Sequence, residues 1–90
     1  ILASDKATGG LVVIVLKRDQ ADDEAFGQLC RYMGWVADNM EQPEFVPVAG
    51  IIIAAEITPK LKAAAKTNPN VRLVEYGVKL ELSPKGGTRQ

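Results

Sequence analysis

Residues 11–36 read LVVIVLKRDQADDEAFGQLCRYMGWV, and the change of period inside this stretch decides the fold. Leu11–Leu16 is an unbroken apolar run rich in β-branched residues, the mark of a strand. Because the run does not alternate, it is expected to be a central strand covered on both faces. Beyond the charged segment Lys17-Arg18-Asp19-Gln20 the apolar residues recur at three- and four-residue steps. Phe26, Leu29, Cys30, Met33, Val36, Ala37 and Met40 mark one face of a helix over residues 21–40. Asp22, Asp23 and Glu24 fall in its first turn, where carboxylates suit the positive end of the helix dipole. Strand followed directly by helix is the first half of a βαβ unit.

The flanking sequence extends that unit. Ile1–Ala3 followed by a polar loop ending in Gly9-Gly10 reads as a hairpin partner for Leu11–Leu16. Ile1-Leu2-Ala3 opens the chain like the end of a strand, so preceding residues are expected to have been lost or to belong elsewhere. Glu41-Gln42-Pro43-Glu44 closes the long helix and begins a loop through Pro47. Val48–Ile57 is a second continuous apolar run and predicts another interior strand, parallel to the first through a right-handed crossover. Thr58-Pro59 supplies an N-cap and a proline at the first helical position, predicting a short helix from Lys60 to Thr67. Asn68-Pro69-Asn70 ends it. Val71–Tyr76 and Val78–Leu82 predict a last strand region broken at Gly77 by a bulge or turn. Residues 1–82 thus form one α/β domain of order β-β-α-β-α-β, a mixed sheet flanked by two helices, with 83–90 a flexible polar tail.

Composition excludes several classes of function. Eleven basic residues balance eleven acidic ones and there is no histidine, so any nucleic-acid surface has to be a local patch. The single cysteine, Cys30, allows neither an intrachain disulfide nor a cysteine-rich zinc site. Without a histidine partner a catalytic thiol is not expected either. A lone cysteine suits a reducing compartment, and a cytoplasmic location is expected. The apolar runs fall far short of the roughly 20 residues of a membrane span, and no signal-peptide pattern opens the chain.

The stretch also carries a set of chemical residues. A hairpin whose second strand ends in Lys17, followed by a helix bearing Gln28-Leu29-Cys30-Arg31-Tyr32, resembles the PD-(D/E)XK nuclease superfamily in its NucS-like and RecB-like branch. Members carry an aspartate on the first hairpin strand, Glu-x-Lys on the second and Gln-x-x-x-Tyr on the next helix. GIIIAAEITPKLKAAAKTNPNVRLVEY, residues 50–76, is similar to the strand, helix and strand that follow in such proteins. The resemblance implies a restriction-endonuclease-like fold without its initial helix and with part of the first strand missing. A core lacking one edge would be completed by a homodimer.

The resemblance further implies phosphodiester hydrolysis of DNA, single-stranded or branched forms included, with Mg2+ or Mn2+. The metal would neutralise developing charge and activate water. On this pattern Lys17 orients water or phosphate, while Gln28 and Tyr32, four apart on one helix face, support the site and touch the nucleic-acid backbone. Arg18, Arg31, Lys60 and Lys62, with Lys17 and Lys66, are the candidates for a phosphate-facing patch. The chain departs from the pattern at its centre. Val15 occupies the glutamate position, and Asp5 falls in the hairpin loop rather than on the strand. Glu24, one turn before Gln28, is the one candidate for a migrated carboxylate. As it stands the chain is expected to lack a normal magnesium site.

Plainer readings stand beside these. Lys17 is also what the first solvated residue after a buried strand would be, and lysines at 60, 62 and 66 also describe a solvated helix face. Tyr32 fits a half-buried core position with its hydroxyl in water, and Gln28 an exposed one. Trp35, two turns beyond Gln28, is expected to pack in the core; base stacking or a dimer interface are the other uses of such a ring. Glu56 and Glu75, near strand ends, fit structural ion-pair members and are assigned no catalytic role. The functional readings are therefore a DNA nuclease, a catalytically dead nucleic-acid-binding or oligomerisation module, and an interaction domain with incidental resemblance.

Overall fold

The polar segment after the first apolar residues closes on itself through backbone and side-chain hydrogen bonds. In the computed structural model, which describes residues 1–77, Asp5 N–H donates to the Gly10 carbonyl at 2.8 Å. The Asp5 carboxylate accepts from Ala7 N–H at 2.8 Å. Gly9 takes φ +77°, a left-handed conformation that costs glycine little. The turn joins β1 (Leu2–Ser4) to β2 (Leu11–Ala21) as an antiparallel pair in the register Leu2↔Val13. The chain continues through α1 (Asp23–Asn39), β3 (Ala49–Ile57), α2 (Pro59–Ala65) and β4 (Val71–Glu75). The sheet order is β1-β2-β3-β4, with β2, β3 and β4 parallel. The expected β-β-α-β-α-β order and mixed sheet are both present.

Two differences in boundary have physical causes. β2 runs on past Leu16 to Ala21, because β3 pairs with the polar extension: Gln20 stands opposite Glu56 and Ala21 opposite Ile57. Ala21 is fully buried at the end of this strand, so the helix expected from Ala21 begins at Asp23. The register slips between Lys17 and Gln20. There the Tyr76 hydroxyl reaches across the sheet, donating to the Arg18 carbonyl at 2.9 Å with the Lys17 carbonyl at 3.3 Å. The second helix is shorter than expected; after Ala65 it relaxes into a turn at Lys66 and Thr67. β4 ends at Glu75, and Gly77 takes φ +53°. The expected strand Val78–Leu82 and the tail 83–90 lie outside the described residues.

Among the described residues the sheet is covered on one face, not both. Register partners in parallel strands face the same side, so Val13, Val15 and Lys17 share a face with Gly50, Ile52 and Ala54. That face meets α1 through Ala25, Leu29, Met33 and Val36, and α2 packs beside α1 through Leu61. Leu29, Ile52 and Leu61 are the largest fully buried side chains, each contributing about 1.5–3 kcal/mol of burial. The opposite face carries Ile14, Leu16, Ile51, Ile53 and Val74, and Leu16 is 61% exposed. Two successive crossovers that step the same way along a sheet, with the same hand, bring both helices to one side. An unbroken apolar strand therefore does not require two covered faces here. Ala37 and Met40, assigned by period to the core stripe of α1, are exposed.

The ends of the two helices are fastened together. Asp22 caps α1 by accepting from Asp23 N–H at 2.8 Å, and its carboxylate also accepts from the Thr58 hydroxyl at 2.9 Å. Thr58 in turn caps α2 by accepting from Leu61 N–H at 3.2 Å. The Glu75 carboxylate accepts from Ile57 N–H at 2.9 Å. The loop between α1 and β3 is held by Gln42, whose side chain accepts from Leu11 N–H at 2.7 Å and donates to the Val46 carbonyl at 3.0 Å.

Candidate functional site

A residue on the solvent flank of α1 can meet the hairpin only where α1 leaves β1 and β2 uncovered. That happens along positions 28, 31, 32 and 35, which follow i, i+3, i+4, i+7 spacing and so share one flank of the helix. The cleft between this flank and the hairpin has a volume of about 850 Å³. Its helix wall is Gln28, Arg31, Tyr32 and Trp35, and its sheet floor includes Leu2, Val13 and Val15. Tyr32 and Trp35 are 61% and 59% exposed, so their rings stand in the cleft mouth and are open to solvent. The Arg31 guanidinium lies back along the helix over Gly27, where an added Cβ would meet its Nη1 at 3.7 Å. Arg31 is the one charged side chain among the described lining residues.

This arrangement brings together part of the expected site. Gln28, Tyr32 and Arg31 converge, and Val15 lies at the cleft floor among them. Lys17 sits one pleat further along the same face of β2, half-buried opposite Ala54, outside the lining. Arg18 has the opposite parity and sits in the irregular stretch of β2, exposed. Lys60 and Lys62 are exposed on α2 and do not line the cleft, so the single phosphate-facing patch expected of these residues is not assembled there. Glu24 is exposed in the first turn of α1 and does not line the cleft either. Trp35, expected in the core, belongs instead to the cleft wall. Helical arithmetic from Gln28 and Tyr32 already put it on their flank; its apolar character argued the other way. The floor contributed by Leu2 and Val13 had no signal beyond ordinary strand composition.

The donor set can be tested against the metal that the resemblance implies. Magnesium and manganese take oxygen ligands, carboxylates foremost. The described lining offers the Gln28 amide oxygen and the Tyr32 hydroxyl but no carboxylate. Among the described residues no group of three His, Cys, Asp or Glu side chains stands together as a metal site. These residues do not fit the ion, and no hydrolytic step through a bound metal follows from them. Cys30 is a half-buried free thiol on α1. What the cleft offers chemically is two aromatic faces, one guanidinium and one amide over an apolar floor.

Comparison with known proteins bears on the fold and the family. The chain is similar to the crystal structure of a repair endonuclease from Pyrococcus abyssi, at 26% identity and TM-score 0.69, over 84% of this chain and 31% of that one. EndoMS in its apo form matches at 24% identity and TM-score 0.71, over 87% of this chain and 34% of that one. An EndoMS–dsDNA complex matches at 25% identity and TM-score 0.64, over 87% of this chain and 31% of that one. The fold is the α/β core that repair endonucleases carry. A sequence profile of the endonuclease NucS C-terminal domain matches residues 1–86, and the chain belongs to that family. It spans about a third of the length of the solved structures it matches. No curated protein matches it. Among the described residues no helix is long and apolar enough to cross a membrane.

Proposed function

We propose that this chain is a DNA-binding domain of the NucS C-terminal family that holds DNA at the α1–hairpin cleft without hydrolysing it. The observation that carries the reading is the cleft itself. Gln28, Arg31 and Tyr32 converge there, while Val15 takes the floor position to which the nuclease pattern assigns glutamate. Family membership and the DNA complex formed by a structural neighbour support DNA as the partner. Hydrolysis of a phosphodiester needs charge neutralisation and an activated water, and the described lining supplies one charged side chain, the Arg31 guanidinium, and no carboxylate. Binding needs only the cation, the amide and the rings.

The test pairs binding with cleavage. Fluorescently labelled single-stranded, branched and duplex DNA are titrated with the full chain at low salt, where phosphate contacts are strongest, then incubated with Mg2+ or Mn2+. Binding without cleavage is expected. Cleavage by the chain as it stands overturns the reading. Cleavage that appears only in Val15→Glu identifies a nuclease disabled at one residue and preserves the assignment of the cleft.

A further inference from the structure

The loop between α1 and β3 is firmly held, yet its apex presents a bulky side chain to water. Val46 N–H donates to the Pro43 carbonyl at 3.1 Å and closes a turn over residues 43–46. Gln42 ties that turn to β2, and Gly10 packs so closely that a Cβ on it would meet a Val46 methyl at 2.6 Å. Phe45 is the third residue of the turn and takes φ +68°, a conformation that suits glycine or asparagine and strains a bulky side chain. It is also 94% exposed, the most exposed large apolar side chain among the described residues. The domain thus carries backbone strain at a ring whose burial adds nothing to its own core. Strain held in place by its surroundings is a mark of positions that act on something else.

Charge narrows what that something is. Glu41 and Glu44 are exposed on the same loop, and residues 41–48 include no basic side chain. Phosphates repel such a loop, whereas an apolar pocket with a cation at its wall attracts it. The cleft between α1 and the hairpin has that chemistry. Tyr32 and Trp35 stand over an apolar floor, Arg31 is the one charged side chain of the described lining, and about 850 Å³ is more than one phenyl ring fills. Phe45 is open to water, so it does not enter its own cleft. From this complementarity we infer that Phe45 inserts into the cleft of a second copy of the chain. Its ring lies against Tyr32 and Trp35 there, where edge-to-face contacts are open to it, and the Glu44 carboxylate meets Arg31. The contact joins two different patches, so a pair of copies closes by exchanging loops reciprocally. Self-association and DNA then exclude one another, because both occupy the cleft.

The chain's single tryptophan is Trp35, so its emission reports on the cleft directly. Mass by light scattering and Trp35 emission are read over one dilution series of the full chain. At high concentration a mass above the monomer and a blue-shifted emission are expected, and both return together to monomer values on dilution. Phe45→Gly weakens the association by at least about 30-fold. Glycine suits the conformation at this position, so the variant keeps its urea midpoint or raises it, which separates a lost contact from a damaged fold. Glu44→Arg and Arg31→Glu each weaken association alone, and mixing the two variants restores it, since every exchanged pair is then of opposite charge. Oligothymidylate dissociates the parent complex, and Phe45→Gly binds it at least as tightly as the parent. A mass that stays monomeric at the highest soluble concentration overturns the proposal. So does association that survives Phe45→Gly or leaves Trp35 emission unchanged. Loss of oligothymidylate binding in Phe45→Gly, where the parent binds, means that the loop touches nucleic acid, and also overturns it. Failure of every DNA to bind either protein sinks the DNA-binding reading alone and leaves self-association standing.

Discussion

At the scale of single residues, the packing of α1 on the sheet is set by a side chain that is absent. A Cβ on Gly50 would meet Met33 Sδ at 2.6 Å and a Leu29 methyl at 2.9 Å. Glycine therefore lets α1 settle onto β3, and with it the flank that carries the cleft. Gly50→Ala is expected to cost about 1–3 kcal/mol, the usual penalty of an overfilled core, read as a lowered urea midpoint. Met33 is flexible and Leu29 is not free to move, so Met33→Ala should recover part of that loss when combined with Gly50→Ala. The coupling between the two substitutions measures the contact. None of this is visible in a sequence where Gly50 interrupts an apolar run without any turn signal. Val15 was legible because the resemblance assigns its position a definite residue type, and the cleft now gives that position a place. Trp35 was not, since period and polarity disagreed about it and the hairpin that leaves its flank uncovered is a tertiary matter.

Elements were read best where local chemistry decides them. Thr58-Pro59 announced α2, and Asp22-Asp23-Glu24 announced α1, because caps act within one turn. The end of β2 was misjudged because Lys17-Arg18-Asp19-Gln20 has no strand signal of its own and is held by pairing with β3 and by Tyr76. The linkage of the two caps was equally hidden, being a contact between residues 36 positions apart. It has a consequence for acid stability. The Asp22 carboxyl is held below its ordinary range by the hydrogen bond from Asp23 N–H, and further by the Thr58 hydroxyl. A carboxyl lowered in the folded state stabilises the fold above its unfolded pKa, about 3.9, and that contribution is lost as pH falls through the folded value. Asn is as good an N-cap as Asp, so Asp22→Asn isolates the charge. The variant should unfold at lower urea than the parent at neutral pH, and the two midpoints should converge as the pH drops below that of an ordinary aspartate. A gap that persists in acid means that the charge is not what the cap uses.

For the whole molecule, alternation of strand and helix foretold the element order and the mixed sheet, but not that both helices lie on one face. Apolar content alone cannot distinguish a strand covered twice from one whose second face stays partly open, as Leu16 shows. The same holds for charge. Eleven basic and eleven acidic side chains cancel, and the basic residues that the sequence grouped into one patch are distributed: Arg31 in the cleft, Lys17 one pleat away, Lys60 and Lys62 on α2. Counterion release then separates a local seat from a broad basic face. Each neutralised phosphate contributes about 0.7 to the slope of log affinity against log salt on single strands. A cleft engaging one phosphate through Arg31 predicts a slope of about −0.7 on single-stranded DNA, most of which Arg31→Gln should remove. Lys60→Gln with Lys62→Gln should leave the slope unchanged. A slope several times steeper, falling when the α2 lysines are removed, would mean that DNA crosses the helical layer as well, and that the cleft is only the end of a longer track.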